Sequence, residues 1–191
     1  MTTLGPESSG TSLAQRVNIV PMGPIVDTDM TQFVLRPFRT STTYRNLDRT
    51  REGVFHVTDD ALLIAQAAVG RVTPDDHTPV RSAGRVSGLV LTDACRYYEL
   101  KVVELDDRAQ RTTIRAHVVT SVRLRDFFGF NRARHAVLEA AILATRVHLT
   151  TVASVLKEFD RLAVVVDKTG AQREHQAMAL LYDFIEHGDT T

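Results

Sequence analysis

Apolar and polar positions alternate with a period of two over much of residues 16–124, and beyond residue 131 the period becomes 3.6. The clearest alternation is TTIRAHVVTSVRL (112–124). There Ile114, Ala116, Val118, Val122 and Leu124 share one face, and Arg115, His117, Ser121 and Arg123 the other. Five shorter β-rich runs precede it, bounded by Gly, Pro or Asp: RVNIV (16–20), FVLRPF (33–38), GVFHVT (53–58), SGLVL (87–91) and YYELKVVEL (97–105). Two short helices interrupt the strands. TTYRNLDRTRE (42–52) is polar, whereas DDALLIAQAAVG (59–70) is apolar with its acids at the positive end. Residues 71–86, with Pro74, Pro79 and Asp75-Asp76-His77, read as an exposed loop, and the Ser/Thr/Gly-rich residues 1–15 as a disordered tail.

In the C-terminal third, Asn131 is placed to cap a helix over 132–149. A second follows over 151–168, with Val152, Val155, Leu156, Phe159, Leu162 and Val166 on one stripe. Val164-Val165-Val166 would suit a strand, but the helical stripe continues through it. Gly170 closes that helix, and a third spans 171–187 with Met178, Leu181, Phe184 and Ile185 inward. The expected organisation is mainly β with α: a tail over 1–15, a small barrel over 16–128, and a three-helix domain over 129–191.

At 191 residues, 43% apolar and 24% charged, the chain has the composition of an ordinary globular protein. No window approaches 18 uncharged apolar residues, and the first fifteen residues lack the basic start and apolar run of a secretory signal. The single cysteine, Cys95, excludes an internal disulfide. These features predict a cytoplasmic protein.

Basic and acidic residues balance at 23 each, but 20 of the basic ones are arginine. Residues 31–58 carry +3 and 81–135 carry +5, offset elsewhere. A duplex-DNA binder shows a net basic domain, because its affinity comes largely from neutralised phosphates. Local arginine stretches suit a small anion better, although a genome-wide preference for Arg would account for most of them.

Phosphate loops, nucleophile elbows and paired metal-binding histidines are absent, so no metal site is expected. The acidic doublets at 59–60, 75–76 and 106–107 fall at helix starts or turns, where capping explains them. His117 faces the polar side of its strand, and Cys95 has the setting of a buried small residue. Arg132, Arg134 and Glu139 read as surface ion-pairing residues.

RPFRTSTTYRNL (36–47) stands out. It places Thr40, Ser41, Thr42 and Thr43 directly after Arg39, at a helix start whose free N–H groups and dipole favour an anion. A cap requires one hydroxyl or two; four, with Arg36, Arg39 and Arg45 beside them, exceed that need. VNIVPMGP (17–24) ends a strand in Pro21-Met22-Gly23-Pro24. That is either a proline-terminated strand or an edge where main-chain groups meet the rim of a flat heteroaromatic ring and Met22 packs on its face.

NIVPMGP, RPFRTSTTYRNL, GVFHVTDDALLIAQAA and FNRARHAVLEAAILATRVHL, in this order, resemble an uncharacterised archaeal and bacterial family of FMN-binding flavoproteins, a domain of unknown function. The resemblance runs from about Arg16 to His187. It implies an FMN-binding split β-barrel of the flavin reductase and pyridoxamine-phosphate oxidase kind, a helical C-terminal domain, and a homodimer with FMN at its interface. By position, Asn18, Pro21, Met22 and Gly23 match the strand lining the isoalloxazine ring; Arg39, Thr40, Ser41, Thr43 and Asn46 match the segment holding the phosphate. The leading expectation for function is a flavin-dependent oxidoreductase acting on a small molecule, with the hydride chemistry supplied by the flavin. A pterin-linked substrate of one-carbon metabolism is suggested by association, and the alternative is a non-catalytic flavin-binding or sensing module.

Overall fold

The structure is a computed structural model that describes residues 1–72, 74 and 78–187. The acidic doublet Asp75-Asp76, and His77 beside it, lie outside the described residues. The chain divides into two compact units, one over 1–58 and 73–127, the other over 59–72 and 128–191.

The first unit is built on a seven-stranded antiparallel sheet. In chain order its strands are β1 (Thr2–Leu4), β2 (Val17–Ile19), β3 (Ile25–Val26), β4 (Gln32–Leu35), β5 (Glu52–Val57), β8 (Arg96–Asp106) and β9 (Thr113–Arg123). Their lateral order is β2-β1-β5-β8-β9-β4-β3. The hairpin β6 (Val80–Ser82) with β7 (Leu89–Leu91) stands separately, and α1 (Leu13–Arg16) and α2 (Thr42–Thr50) join the strands. β2 and β3 lie at opposite ends of this order. Laid flat, six strand spacings would part them by about 29 Å. The chain from Ile19 to Ile25 reaches at most about 22 Å. The sheet must therefore roll until its two ends face each other across residues 20–24.

The interior is aromatic and branched. Phe33 stacks at 5.2 Å from Phe55 and 5.4 Å from Tyr98, with Leu35, Leu47, Leu100 and Ile114 closing around them. β5 packs closely at Gly53, where a Cβ would lie 2.9 Å from Met1 Cε and 3.2 Å from Leu47, both ends of flexible side chains that would have to shift to admit it.

Residues 2–4 are not a disordered tail. Thr3 pairs with Asn18, Thr2 pairs with Val54, and Thr2 and Thr3 are both buried. Two threonines ahead of GPESSG read as polar, but their hydroxyls find partners inside: Thr2 Oγ1 donates to the Leu89 carbonyl at 2.6 Å. The face expected for β9 also changes midway. Thr120 pairs with Glu99 and Val118 with Leu100, so Val119 is an extra, bulged residue. A one-residue insertion flips the side-chain period. Ile114, Ala116 and Val118 face the main core, while Val119 and Leu124 pack on a second cluster around Val54 and Tyr97, and Val122 is exposed.

The second unit is helical: α3 (Ala61–Ala68), α4 (Arg132–Ala144), α5 (Val152–Thr169) and α6 (Gln172–His187). The expected three-helix domain thus takes α3 from the middle of the chain, because Ala61 and Ala65 bury against the alanines of the later helices. Asn131 caps α4 as expected, but that helix stops at Ala144, short of 149, and a 3-10 turn follows over Val147–Leu149. α5 runs straight through Val164–Val166, while Val152 at its start is exposed. Asp60 caps α3 by accepting from Leu63 N at 3.1 Å. Arg134 pairs with Asp59 and Glu174, each at 3.1 Å, and stacks over Phe128. Among the described residues, no helix is long and apolar enough to cross a membrane.

Candidate functional site

The first turn of α2 is anchored from outside the helix. Thr112 N and Oγ1 both donate to the Pro37 carbonyl, at 3.0 and 2.8 Å, and Arg39 N donates to the Gln110 carbonyl at 2.9 Å. Ser41 is the N-cap, its Oγ accepting from Tyr44 N at 3.1 Å. Capping therefore occupies one of the four hydroxyls. Tyr44 reaches down to donate to Asp107 Oδ2 at 2.8 Å, and this hydrogen bond pushes its phenol pKa up. Arg39 and Thr40 are exposed just ahead of the cap, and Arg39 Nη1 meets the Asp107 carbonyl at 3.5 Å.

Two of the expected site residues, Asn18 and Asn46, converge on Thr3, for which the sequence offered no signal, and Asn18 also reaches a third, Thr43. Asn18 Nδ2 donates to Thr3 Oγ1 at 3.3 Å and to Thr43 Oγ1 at 3.0 Å, and Asn46 Nδ2 donates to Thr3 Oγ1 at 3.1 Å. Thr3, Thr43 and Asn46 are all at least 96% buried. The network pins the end of β2 to the first two turns of α2. Buried polar groups left unpaired are costly, so satisfied networks of this kind hold geometry firmly.

Three residues past Asn18, the chain enters Pro21–Pro24. Met22 is half-buried against the aromatic core that also contains Tyr44 and Leu47, whereas Pro21 and Gly23 are exposed. Nothing lies within 4 Å of where a Cβ on Gly23 would be. Met22 and α2 thus share one apolar cluster. Direct hydrogen bonds join Asn18, Thr43 and Asn46, but none described links Pro21, Met22 or Gly23 to Arg39, Thr40 or Ser41.

A cavity of about 520 Å³ lies on the outward side of α2, lined by Asn18 and Asn46 together with Arg16, Thr42, Arg45 and Arg49. Of these, Arg16 and Arg49 escaped notice in the sequence, where they are two among 20 arginines. The available signal was the four-residue spacing of Arg45 and Arg49 on one face of a helix whose first turn carries no acid. The other candidates have ordinary settings. His117 is exposed, Arg115 pairs with Glu104 at 3.2 Å, and Cys95 is buried.

No curated protein matches the chain. Among solved structures, it is similar to an FMN-bound protein from Methanosarcina mazei at 20% identity and a TM-score of 0.76, covering 95% of this chain and 91% of that one. It is also similar to the NADH:FAD oxidoreductase of Streptomyces globisporus, at 11% identity and TM-score 0.51 over 64% of this chain and 72% of that one. A third similarity is to the flavin reductase component of a bacterial two-component tryptophan halogenase, at 13% identity and TM-score 0.50, covering 66% and 78%. These likenesses establish a shared fold. Residues 9–125 match the family model of the N-terminal domain of the protein of unknown function DUF447, and residues 131–183 match a second DUF447 model. The chain belongs to the DUF447 family.

Proposed function

We propose that the sheet unit is an FMN-binding split barrel and that the bound flavin serves an oxidoreductase reaction on a small molecule. The observation that carries this reading is the buried Asn18–Thr3–Thr43–Asn46 network. It holds the strand leading into Pro21–Gly23 in fixed register with the helix start at 40–43, the two segments a flavin ring and its phosphate would need. The residues fit the group. Gly23 leaves its backbone open to a flat ring, Met22 offers a half-buried thioether, and Arg39 and Thr40 stand exposed before a helix N-terminus. The FMN-bound family member from Methanosarcina mazei supports the choice of cofactor. When bound, FMN would supply hydride chemistry. The protein's own part is to orient the ring and neutralise the phosphate. The exposed apolar pair Ile25–Val26 at the sheet end supports completion of the site by a second copy of the chain. Light scattering of the flavin-loaded protein should report a dimer.

Fluorescence titration tests the cofactor assignment. FMN should bind far more tightly than riboflavin, which lacks the phosphate. Arg39→Ala should weaken FMN by about one to two powers of ten, since a charge-assisted hydrogen bond is worth roughly 1.5–3 kcal/mol, and leave riboflavin unchanged. Ser41→Ala should lower thermal stability through loss of the cap, by about 1 kcal/mol. Equal affinity for the two flavins would sink the phosphate assignment. The second reading, a flavin-binding or sensing module, draws on the absence of any carboxyl, imidazole or thiol among the nine assigned residues. Bleaching of the bound flavin by NADH or NADPH at a steady rate decides for the oxidoreductase; a flavin that stays oxidised decides for the module.

A further inference from the structure

The cavity on the outward side of α2 gathers three guanidinium groups with almost nothing to neutralise them. Arg16 is the anchored one. Its side chain is only 14% exposed, and Nε and Nη2 both donate to the Gly5 carbonyl, at 3.4 and 3.1 Å. Its one carboxylate partner, Glu7 at 3.3 Å, is 89% exposed and therefore a weak counterion. Arg45 donates to Thr42 Oγ1 at 3.2 Å and Arg49 to the Leu4 carbonyl, and neither pairs with a carboxylate among the described residues. Elsewhere on α2 the pairing is ordinary, since Arg51 at its end meets Asp48 at 3.2 Å.

The clustering of charge itself works against folding. Arg45 and Arg49 are like charges at i and i+4, which repel, and Arg45 lies toward the positive end of the helix dipole. An anion in the cavity would reverse both penalties. Arginine forks match phosphate oxygens, and the Thr42 hydroxyl adds a neutral partner. Asn18 and Asn46 spend their amide N–H groups on Thr3 and Thr43, which leaves carbonyl acceptors suited to a ligand hydroxyl. The volume, about 520 Å³, exceeds what a lone phosphate fills and falls within the range of small-molecule sites.

We infer that this cavity is a phosphoryl site for a phosphate ester of a hydroxylated small molecule, with Arg45 and Arg49 as its unneutralised cations and Arg16 as the fixed one. It uses neither Arg39 nor Thr40, and an ester that is the flavin's own would replace the assignment of its phosphate to those two residues. The ester is either the flavin's own or that of a second ligand, and the chemistry recognised is the same.

Calorimetry of the full-length protein at low ionic strength, with ribose 5-phosphate as the probe and ribose as the control, tests it. Ribose 5-phosphate should bind and ribose should not. Arg45→Gln and Arg49→Gln should each weaken the ester about tenfold, the loss of one charge-assisted hydrogen bond. Arg45→Gln is the cleaner variant, because among the described residues the Arg45 side chain bonds to Thr42 alone. Glu7→Gln should tighten binding about threefold by removing the competing carboxylate. Unchanged affinity in both arginine variants, or equal binding of ribose, overturns the proposal. Repeating the titration on FMN-saturated protein identifies the source. Persistent binding of the ester assigns a second ligand, whereas displacement, with FMN but not riboflavin weakened in Arg45→Gln, assigns the flavin's own phosphate. A protein that binds no FMN still answers the ribose 5-phosphate arm.

Discussion

The two units of this chain bury different chemistry. In the helical unit eight of the fifteen core residues are alanines, spread over α3, α4 and α6, and among the described residues the buried polar side chains are few, Glu174 and Asp59 paired with Arg134. In the sheet unit the core is aromatic and branched, yet it also buries Thr2, Thr3, Thr43, Asn46, His56, Glu99 and Thr112. Alanine lets helix backbones approach closely and leaves contact to dispersion alone. A rolled sheet joined by short strands and loops has many backbone groups without ladder partners, and buried side chains must satisfy them. The unit that solves the harder polar problem is also the one that offers a candidate site.

Glu99 is the sharpest instance, and changing it should give the largest effect. Its carboxylate, 1% exposed, accepts from the backbone N–H groups of Gly84, Arg85 and Val86 at 2.9, 2.5 and 3.0 Å. Glu99→Ala orphans three donors at once and should cost about 3–5 kcal/mol. At roughly 2–4 °C per kcal/mol for a chain of this size, the melting temperature should fall by about 6–20 °C. Glu174→Ala, which removes contacts to Arg134 and Ala171 N, should cost about half as much, because Arg134 retains Asp59. Equal losses in the two variants would erase the contrast between the units.

The alanine core is tested by enlarging it. Ala140 is fully buried on α4, so Ala140→Leu should cost about 1–3 kcal/mol, read as a lower denaturant midpoint. Neutral behaviour would mean that the helices are not in close contact there.

The smallest effect is one of pH. His56 is 6% exposed, and its Nε2 accepts from Leu91 N at 3.0 Å while Nδ1 has no partner among the described residues. Burial holds its pKa well below the usual 6.5. The folded chain therefore stays neutral at His56 while the unfolded chain takes up a proton. Stability should fall as the pH drops below about 6.5, with a slope from this residue of at most about 1.4 kcal/mol per pH unit. His56→Gln, which keeps an acceptor for Leu91 N, should flatten that slope. An unchanged slope would show that other groups govern acid unfolding.

Much of the architecture was legible in the sequence because it is periodic. Strands 53–58 and 97–105 and the helix starts at Ser41 and Asn131 follow from alternation and caps, which are local. The cap within the hydroxyl run at 40–43 was legible for the same reason. Thr3 was not: nothing near position 3 says that its hydroxyl will accept from Asn18 and Asn46, both distant in sequence. Nor was the cavity, whose Arg16 and Arg49 come from two elements 33 positions apart.

By itself the sequence determined the longer strands and helices, because side-chain period and capping are properties of neighbouring residues; it read β1 and α1 as tail and β6 as loop, elements too short to show a period. Only the tertiary structure decided that residues 2–4 complete the sheet, that α3 joins the helical unit, and that Val119 is bulged. Each of these depends on a partner supplied from far along the chain. A buried hydrogen bond or a packed alanine stabilises only in the presence of that partner, and the partner is absent from the local pattern.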